Sequence, residues 1–227
     1  MRINKLLSNY GYCSRKEANK LIEEGRIYVN GKLCIPGQWV EESDHILLDN
    51  IKISKKPKVY IVLNKPIGVT CTADKTKENN IINYINYPEY IFAVGRLDKD
   101  SQGLIILTND GELANNILEA DNEHEKEYVV TLDKPFSNEF LEKMASGVDI
   151  GDAITKPCTV YRVNDCTYRI ILTQGLNRQI RRMSKVLGYK VVKLKRIRIM
   201  NIYLNDLEYG KWREISENEL YNLKKKL

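Results

Sequence analysis

Two periodicities divide the chain. Over residues 14–25 the apolar side chains Ala18, Leu21 and Ile22 fall on one face at helical spacing. Ser14 stands where it can N-cap a helix over 15–24, and Gly25 follows where that helix should end. A shorter helix is expected over 3–8. The runs 26–29 and 32–33 flank Asn30-Gly31, a pair that favours a tight type I′ turn because both residues tolerate positive φ. Farther on, β-rich runs at 59–63, 92–94, 104–108, 128–132, 159–163, 168–173 and 189–199 predict a substantial sheet. Helical patterns at 80–85, 111–118, 138–145 and 177–187 interrupt it, and 217–225 closes the chain with another. That alternation predicts an α+β domain rather than a sandwich. Within 189–199 the apolar residues Val192 and Leu194 are even and Ile197 and Ile199 odd, so a bulge is expected near Lys195.

Between the two patterns lies Ser54-Lys55-Lys56-Pro57-Lys58, Lys-rich and proline-containing, which reads as a linker. The expected organisation is a small domain over 1–54, a linker over 55–58 and a larger domain over 59–227. With 43% apolar and 29% charged residues, and apolar runs such as 104–107 far too short to cross a bilayer, the composition is that expected of a soluble globular protein. The N-terminus carries no sustained hydrophobic stretch, so a cytoplasmic location is expected.

Chemistry narrows next. The five cysteines (Cys13, Cys34, Cys71, Cys158 and Cys166) include no Cys-x-x-Cys pair, and only His45 and His124 could join them. They read as reduced, packed thiols, and neither a metal nor histidine-based catalysis is expected.

Charge is uneven. Residues 1–50 hold seven basic and seven acidic side chains, whereas 169–200 hold ten basic and no acidic ones, within a net charge of +6. In the expected helix 177–187, Ile180, Met183 and Leu187 face one way and Arg178, Arg181, Arg182 and Lys185 the other. A cationic face in an acid-free region suits a polyanion, although a solvated surface would look the same. The polar loop 95–103, set between apolar strands, could present a reactive group or merely turn.

Longer motifs decide between these readings. Arg2-x-x-Lys5-x-Leu7, Cys13-Ser14-Arg15-x-x-Ala18, Ile22, Gly25 and Val29-Asn30-Gly31 resemble the alpha-L motif, an S4-like RNA-binding module shared with a small-subunit ribosomal protein. The resemblance implies that Arg2, Lys5, Ser14, Arg15, Lys16 and Lys32 line one RNA-facing surface. Gly95-Arg96-Leu97-Asp98 followed by Ser101-x-Gly103-Leu104 is similar to the signature loop of ribosomal RNA pseudouridine synthases of the RsuA branch. Asn64-Lys65-Pro66-x-Gly68, Lys126-x-Tyr128 and Gly175-x-Asn177-Arg178-Gln179-Ile180-Arg181-Arg182-Met183 match three further motifs of that branch. Most members carry His where Arg178 stands, and the wording around Asp98 and Tyr128 is closest to the RluF type, which acts on large-subunit ribosomal RNA.

The resemblance implies a fold and a chemistry. The second domain should be a catalytic domain with a large mixed, mainly antiparallel sheet flanked by helices. Turning uridine into pseudouridine exchanges a C1′–N1 bond for a C1′–C5 bond with no change in redox state or composition, so no cofactor is expected. Asp98 is the implied nucleophile. Arg181 is its implied cationic partner, and Tyr128 the implied flat surface and proton acceptor beside the uracil. The nucleotide must be everted, with Arg96 the implied inserting residue. Arg178, Arg182, Lys185, Lys193, Lys195, Arg196 and Arg198 would grip phosphates. Ile180, Lys65 and Pro66 read as packing or shaping residues. The expected partner of this monomer is a large-subunit ribosomal RNA hairpin, with transfer RNA open as a second substrate. A non-catalytic RNA-binding or ribosome-assembly protein is the alternative; a uridine methyltransferase would need a Gly-rich cofactor loop, and the sequence has none.

Overall fold

The computed structural model describes residues 1–74, 76–119 and 123–227. Its first unit packs α1 (Ile3–Asn9) and α2 (Arg15–Glu23) against a four-stranded sheet of β1 (Ile27–Val29), β2 (Lys32–Leu33), β3 (Ile46–Leu48) and β4 (Ile51–Lys52), ordered β2-β1-β3-β4. Ser14 does cap α2, in a reciprocal capping box with Glu17. Asn30 and Gly31 both take positive φ (51° and 79°), as the hairpin requires. Ile3, Leu6, Leu7, Ala18, Ile22 and Ile27 form the centre of its core. The β3–β4 hairpin was not anticipated; it turns on Asp49-Asn50, again both at positive φ.

The segment read as a linker forms no helix or strand but is strapped down. Lys56 N–H donates to the Tyr10 carbonyl (3.1 Å), Lys58 Nζ to the Asn9 carbonyl (3.0 Å) and Ser54 N–H to the Tyr12 hydroxyl (3.1 Å). From the other side, Asn109 donates to the Pro57 carbonyl at 2.9 Å.

The larger unit is built on a nine-stranded mixed sheet. Its strands are β5 (Tyr60–Lys65), β6 (Phe92–Ala93), β7 (Gln102–Thr108), β8 (Lys126–Leu132), β9 (Thr159–Arg162), β10 (Thr167–Leu172), β11 (Val191–Ile199), β12 (Ile202–Tyr203) and β13 (Trp212–Glu214). The main path runs β13-β5-β7-β11-β8-β10-β9, with β6 on β7 and β12 on β11. Among the described residues β7 and β11 pair in parallel and the other pairs are antiparallel. The helices are α3 (Ile81–Ile85), α4 (Gly111–Leu118), α5 (Asn138–Ser146), α6 (Gln179–Val186) and α7 (Glu217–Lys224). The parallel contact is close: a Cβ on Gly103, at φ +108°, would stand 2.2 Å from the Arg196 carbonyl oxygen.

Alternation sorts the two faces. Ile61 and Leu63 of β5 and Ile105 and Leu107 of β7 share a cluster with Leu97, while Val62, Leu104 and Ile106 point into a second cluster that includes Leu223 of α7. Beside the first, Phe140 and Met144 of α5 and Ile180 and Met183 of α6 cover Val130, Leu132, Tyr168 and Ile170. In β11 the register slips between Val191 and Lys193 and again between Arg196 and Arg198. The bulge expected near Lys195 is therefore two irregularities on either side of it.

Candidate active site

The loop that precedes β7 is fixed from several directions. Leu97 is buried and its N–H donates to Cys71 Sγ at 3.4 Å; Ser101 N–H donates to the Asp98 carbonyl at 3.0 Å, and Gly68 N–H to the Lys99 carbonyl at 2.8 Å. Lys65, fully buried, holds the neighbouring turn by donating from Nζ to the carbonyls of Pro66 (2.9 Å) and Val69 (2.8 Å). Burial pushes the Lys65 amine below its ordinary value, an effect opposed by Cys71, Asp100 and Asp98. The result is a stiff platform for one carboxylate. Asp98 is 27% exposed and opens into a pocket of about 470 Å³ lined by Ile67, Gly68, Asp98, Lys99, Asp100 and Arg178.

Two guanidiniums approach one oxygen of that carboxylate. Arg178 Nη1 lies 3.6 Å and Arg181 Nε 3.9 Å from Asp98 Oδ2. Neither distance is a hydrogen bond. Arg178 takes a left-handed backbone (φ 49°) at the start of α6 and donates both Nη groups to Asp100, each at 3.0 Å. That fork holds the Asp100 carboxyl below the usual carboxylate range. Arg181 is pinned by the Val191 carbonyl (3.2 Å), the Asp100 carbonyl (2.9 Å) and Ser101 Oγ (3.2 Å). Its Nε, buried, has no hydrogen-bond partner among the described residues.

Tyr128 is outside the pocket lining. It stands half-buried on β8, packed against both the cluster that contains Leu97 and the one that contains Ile180 and Met183. Arg96, beside Leu97, is exposed. So are Lys185 and Lys193, while Lys195 is half-buried.

Two expected phosphate contacts are corrected. Arg196 is 3% exposed, its Nε donating to the Leu104 carbonyl at 2.7 Å across the parallel strand pair. Arg198 is 8% exposed and is spent on Glu127 and Glu125, each at 2.9 Å, and on the Met200 carbonyl. The sheet buries both. Arg182, expected on a free cationic face, is tied to Asp152 and to the Ile150 carbonyl, which leaves Lys185 as the exposed, unpaired cation of α6 among the described residues.

A carboxylate on a strand-bound loop, flanked by two arginines from a late helix, follows a small helical and hairpin unit. Residues 59–185 match the family described as RNA pseudouridylate synthase, and residues 1–46 match the S4 domain. The chain belongs to the RNA pseudouridylate synthase family. Among its relatives, the dual-specificity RNA pseudouridine synthase RluF of Salmonella typhi is 46% identical over 225 residues, which span 98% of this chain and 78% of that one. The ribosomal large subunit pseudouridine synthase B of Bacillus subtilis is 33% identical over 98% of this chain and 95% of its own length. A crystal structure of a pseudouridylate synthase superposes with a TM-score of 0.73 at 28% identity, covering 98% of this chain and 99% of that one.

In this pseudouridine synthase the S4 unit shows a division among its cations. Arg2, Lys5, Arg15 and Lys16 are exposed, as is Lys32, and among the described residues none of them makes an ion pair; Lys20 and Arg26, absent from the expected RNA surface, are paired with Glu24 and Asp49. Ser14, in contrast, is spent on its cap. Asp74, in the segment that leads from Cys71 towards α3, is held below the usual carboxylate range chiefly by its hydrogen bonds from Thr76, with Lys77 and, least, Lys16 adding to the effect. Asp100, Lys99, Ile67 and Cys71 were not anticipated as parts of the synthase's site. The Asp98-x-Asp100 spacing was the signal for the first; nothing in sequence spacing points to the others.

Proposed function

We propose that this pseudouridine synthase isomerises a specific uridine of large-subunit ribosomal RNA, with Asp98 as the attacking group. The observation that carries the reading is the Asp98 carboxylate, presented to a pocket with two guanidiniums 3.6 and 3.9 Å from its Oδ2. An everted nucleotide would enter there. Attack by Asp98 at the sugar C1′ or at the pyrimidine ring forms a covalent intermediate, and the C1′–N1 bond breaks so that the base can turn; C5 then bonds C1′, the bond to Asp98 breaks and frees the carboxylate, C5 loses its proton and N1 takes one up. Atoms and redox state balance without a cofactor. Tyr128, on the face that joins Leu97 to α6, is the proposed planar surface and phenol beside the uracil. Arg96 is the proposed inserting residue. Arg178, Lys185, Lys193 and Lys195 are the proposed RNA contacts of this unit, and Arg2, Lys5, Arg15, Lys16 and Lys32 those of the S4 unit; Arg182 and Ser14, held by Asp152 and by the α2 cap, would shape those surfaces.

The large-subunit target rests on the relatives, one named for the large subunit and one for dual specificity, and transfer RNA is the second substrate to test. A monomer working in the cytoplasm completes the proposal; no described helix is long and apolar enough to cross a membrane. Pseudouridine mapping in RNA from cells with and without the gene tests the reaction and target together, and loss of one large-subunit signal is expected. Purified protein that releases no tritium from 5-tritiated ribosomal RNA would instead point to a binding or assembly factor.

A further inference from the structure

Asp98 stands within Coulomb range of two guanidiniums, yet among the described residues no hydrogen bond closes on its carboxylate. Guanidinium and carboxylate groups form forks readily when they can. Something must keep these apart. Arg178 makes its two side-chain hydrogen bonds to Asp100, at 3.0 Å each. Asp100 Oδ2 also faces Arg181 Nη2 at 3.6 Å, and its backbone carbonyl accepts from the same nitrogen at 2.9 Å.

We propose that Asp100 is a positioning residue for the isomerisation: it takes up the Arg178 fork, so that Asp98 stays beside positive charge with its oxygen lone pairs free to attack uridine. The inference rests on the reading of Asp98 as nucleophile. Arg181 is anchored by three acceptors and keeps its place without the Asp100 side chain. Among the described residues Arg178 has no such anchors beyond Asp100. With Asp100 truncated, the carboxylate next in reach of Arg178 is Asp98, already 3.6 Å away, and a fork there would have to be broken before each attack. Hydrogen bonds of that charged kind correspond to a reaction roughly ten- to hundredfold slower.

The test is single-turnover tritium release from a 5-tritiated large-subunit ribosomal RNA transcript by excess enzyme, with filter binding of the same RNA alongside. Asp100→Ala should slow release by roughly ten- to hundredfold while RNA affinity holds or tightens, because a negative charge has left the cleft. Asp100→Asn, whose amide oxygen can still accept one Nη group, should lose less and preserves the loop's shape. Adding Arg178→Ala to Asp100→Ala should recover part of the rate at saturating enzyme, which damage to the fold would not allow. An Asp100→Ala rate within about threefold of wild type overturns the inference, as does a loss that Arg178→Ala deepens. If Asp98→Ala is inert while Asp100→Ala is unimpaired, the positioning role alone fails. If Asp98→Ala still releases tritium, the nucleophile reading fails and takes this inference with it.

Discussion

Arg181 is 13% exposed and donates to three acceptors on two different segments, so its loss is felt twice. Arg181→Ala leaves the carbonyls of Val191 and Asp100 short of a donor and should cost about 1–3 kcal/mol in urea unfolding. Single-turnover activity should fall further, by roughly a hundredfold, because the buried positive charge beside Asp98 is gone. Arg181→Lys keeps the charge but cannot span the same acceptors, and should restore stability better than rate. At this scale the sequence was readable where the chemistry is contiguous: the Asp98 loop is one uninterrupted motif. It was unreadable where the partner is remote. The fork between Arg178 and Asp100 joins positions 78 residues apart, and spacing carries no trace of it. Arg196 and Arg198 read as surface cations because two register slips in β11 hide which positions turn inward.

Elements were recovered where local chemistry and periodicity agree, as in α2 with its Ser14 cap and α4 over the expected residues. The short strands β3, β4, β12 and β13 escaped because two or three residues hold too little of a period, and tertiary pairing makes them. One of these matters for acid stability. Glu219 of α7 accepts both Nη groups of Arg213 in β13 at 2.8 Å, and that contact holds its carboxyl below the ordinary value of 4.5. A depressed carboxylate stabilises fully above its unfolded pKa and loses that contribution as pH falls through the folded one. Thermal midpoints should therefore drop below pH 4.5 more steeply for the wild type than for Glu219→Gln, which should start lower at neutral pH. Matching midpoint curves for the two proteins would refute this. The β7–β11 junction makes a harsher demand. Gly103→Ala puts a methyl group 2.2 Å from the Arg196 carbonyl at a φ that side chains avoid, so a loss of at least about 3 kcal/mol, or insoluble protein, is expected on expression and calorimetry.

For the whole molecule, net charge was a poor guide and ion pairing a better one. The S4 unit balances in number, but Glu24 and Asp49 are drawn to Lys20 and Arg26 and Glu42 to Lys55, and among the described residues Lys16 and the other expected RNA-facing cations make no ion pair. Lys16→Ala should reduce the slope of log affinity against log salt for ribosomal RNA by about one, whereas Arg26→Ala, already paired, should barely change it. Equal slopes for the two variants would mean the surface lies elsewhere.

The segment 54–58 is roped at both ends, to Asn9, Tyr10 and Tyr12 on one side and to Asn109 on the other. Such a joint would work as a gauge rather than a tether. A nucleotide's distance from the grip of the first unit would then help decide whether it reaches the second. Two residues added between Ser54 and Lys58 should blur that measure, spreading modification onto neighbouring uridines in a mapped transcript before activity as a whole is lost.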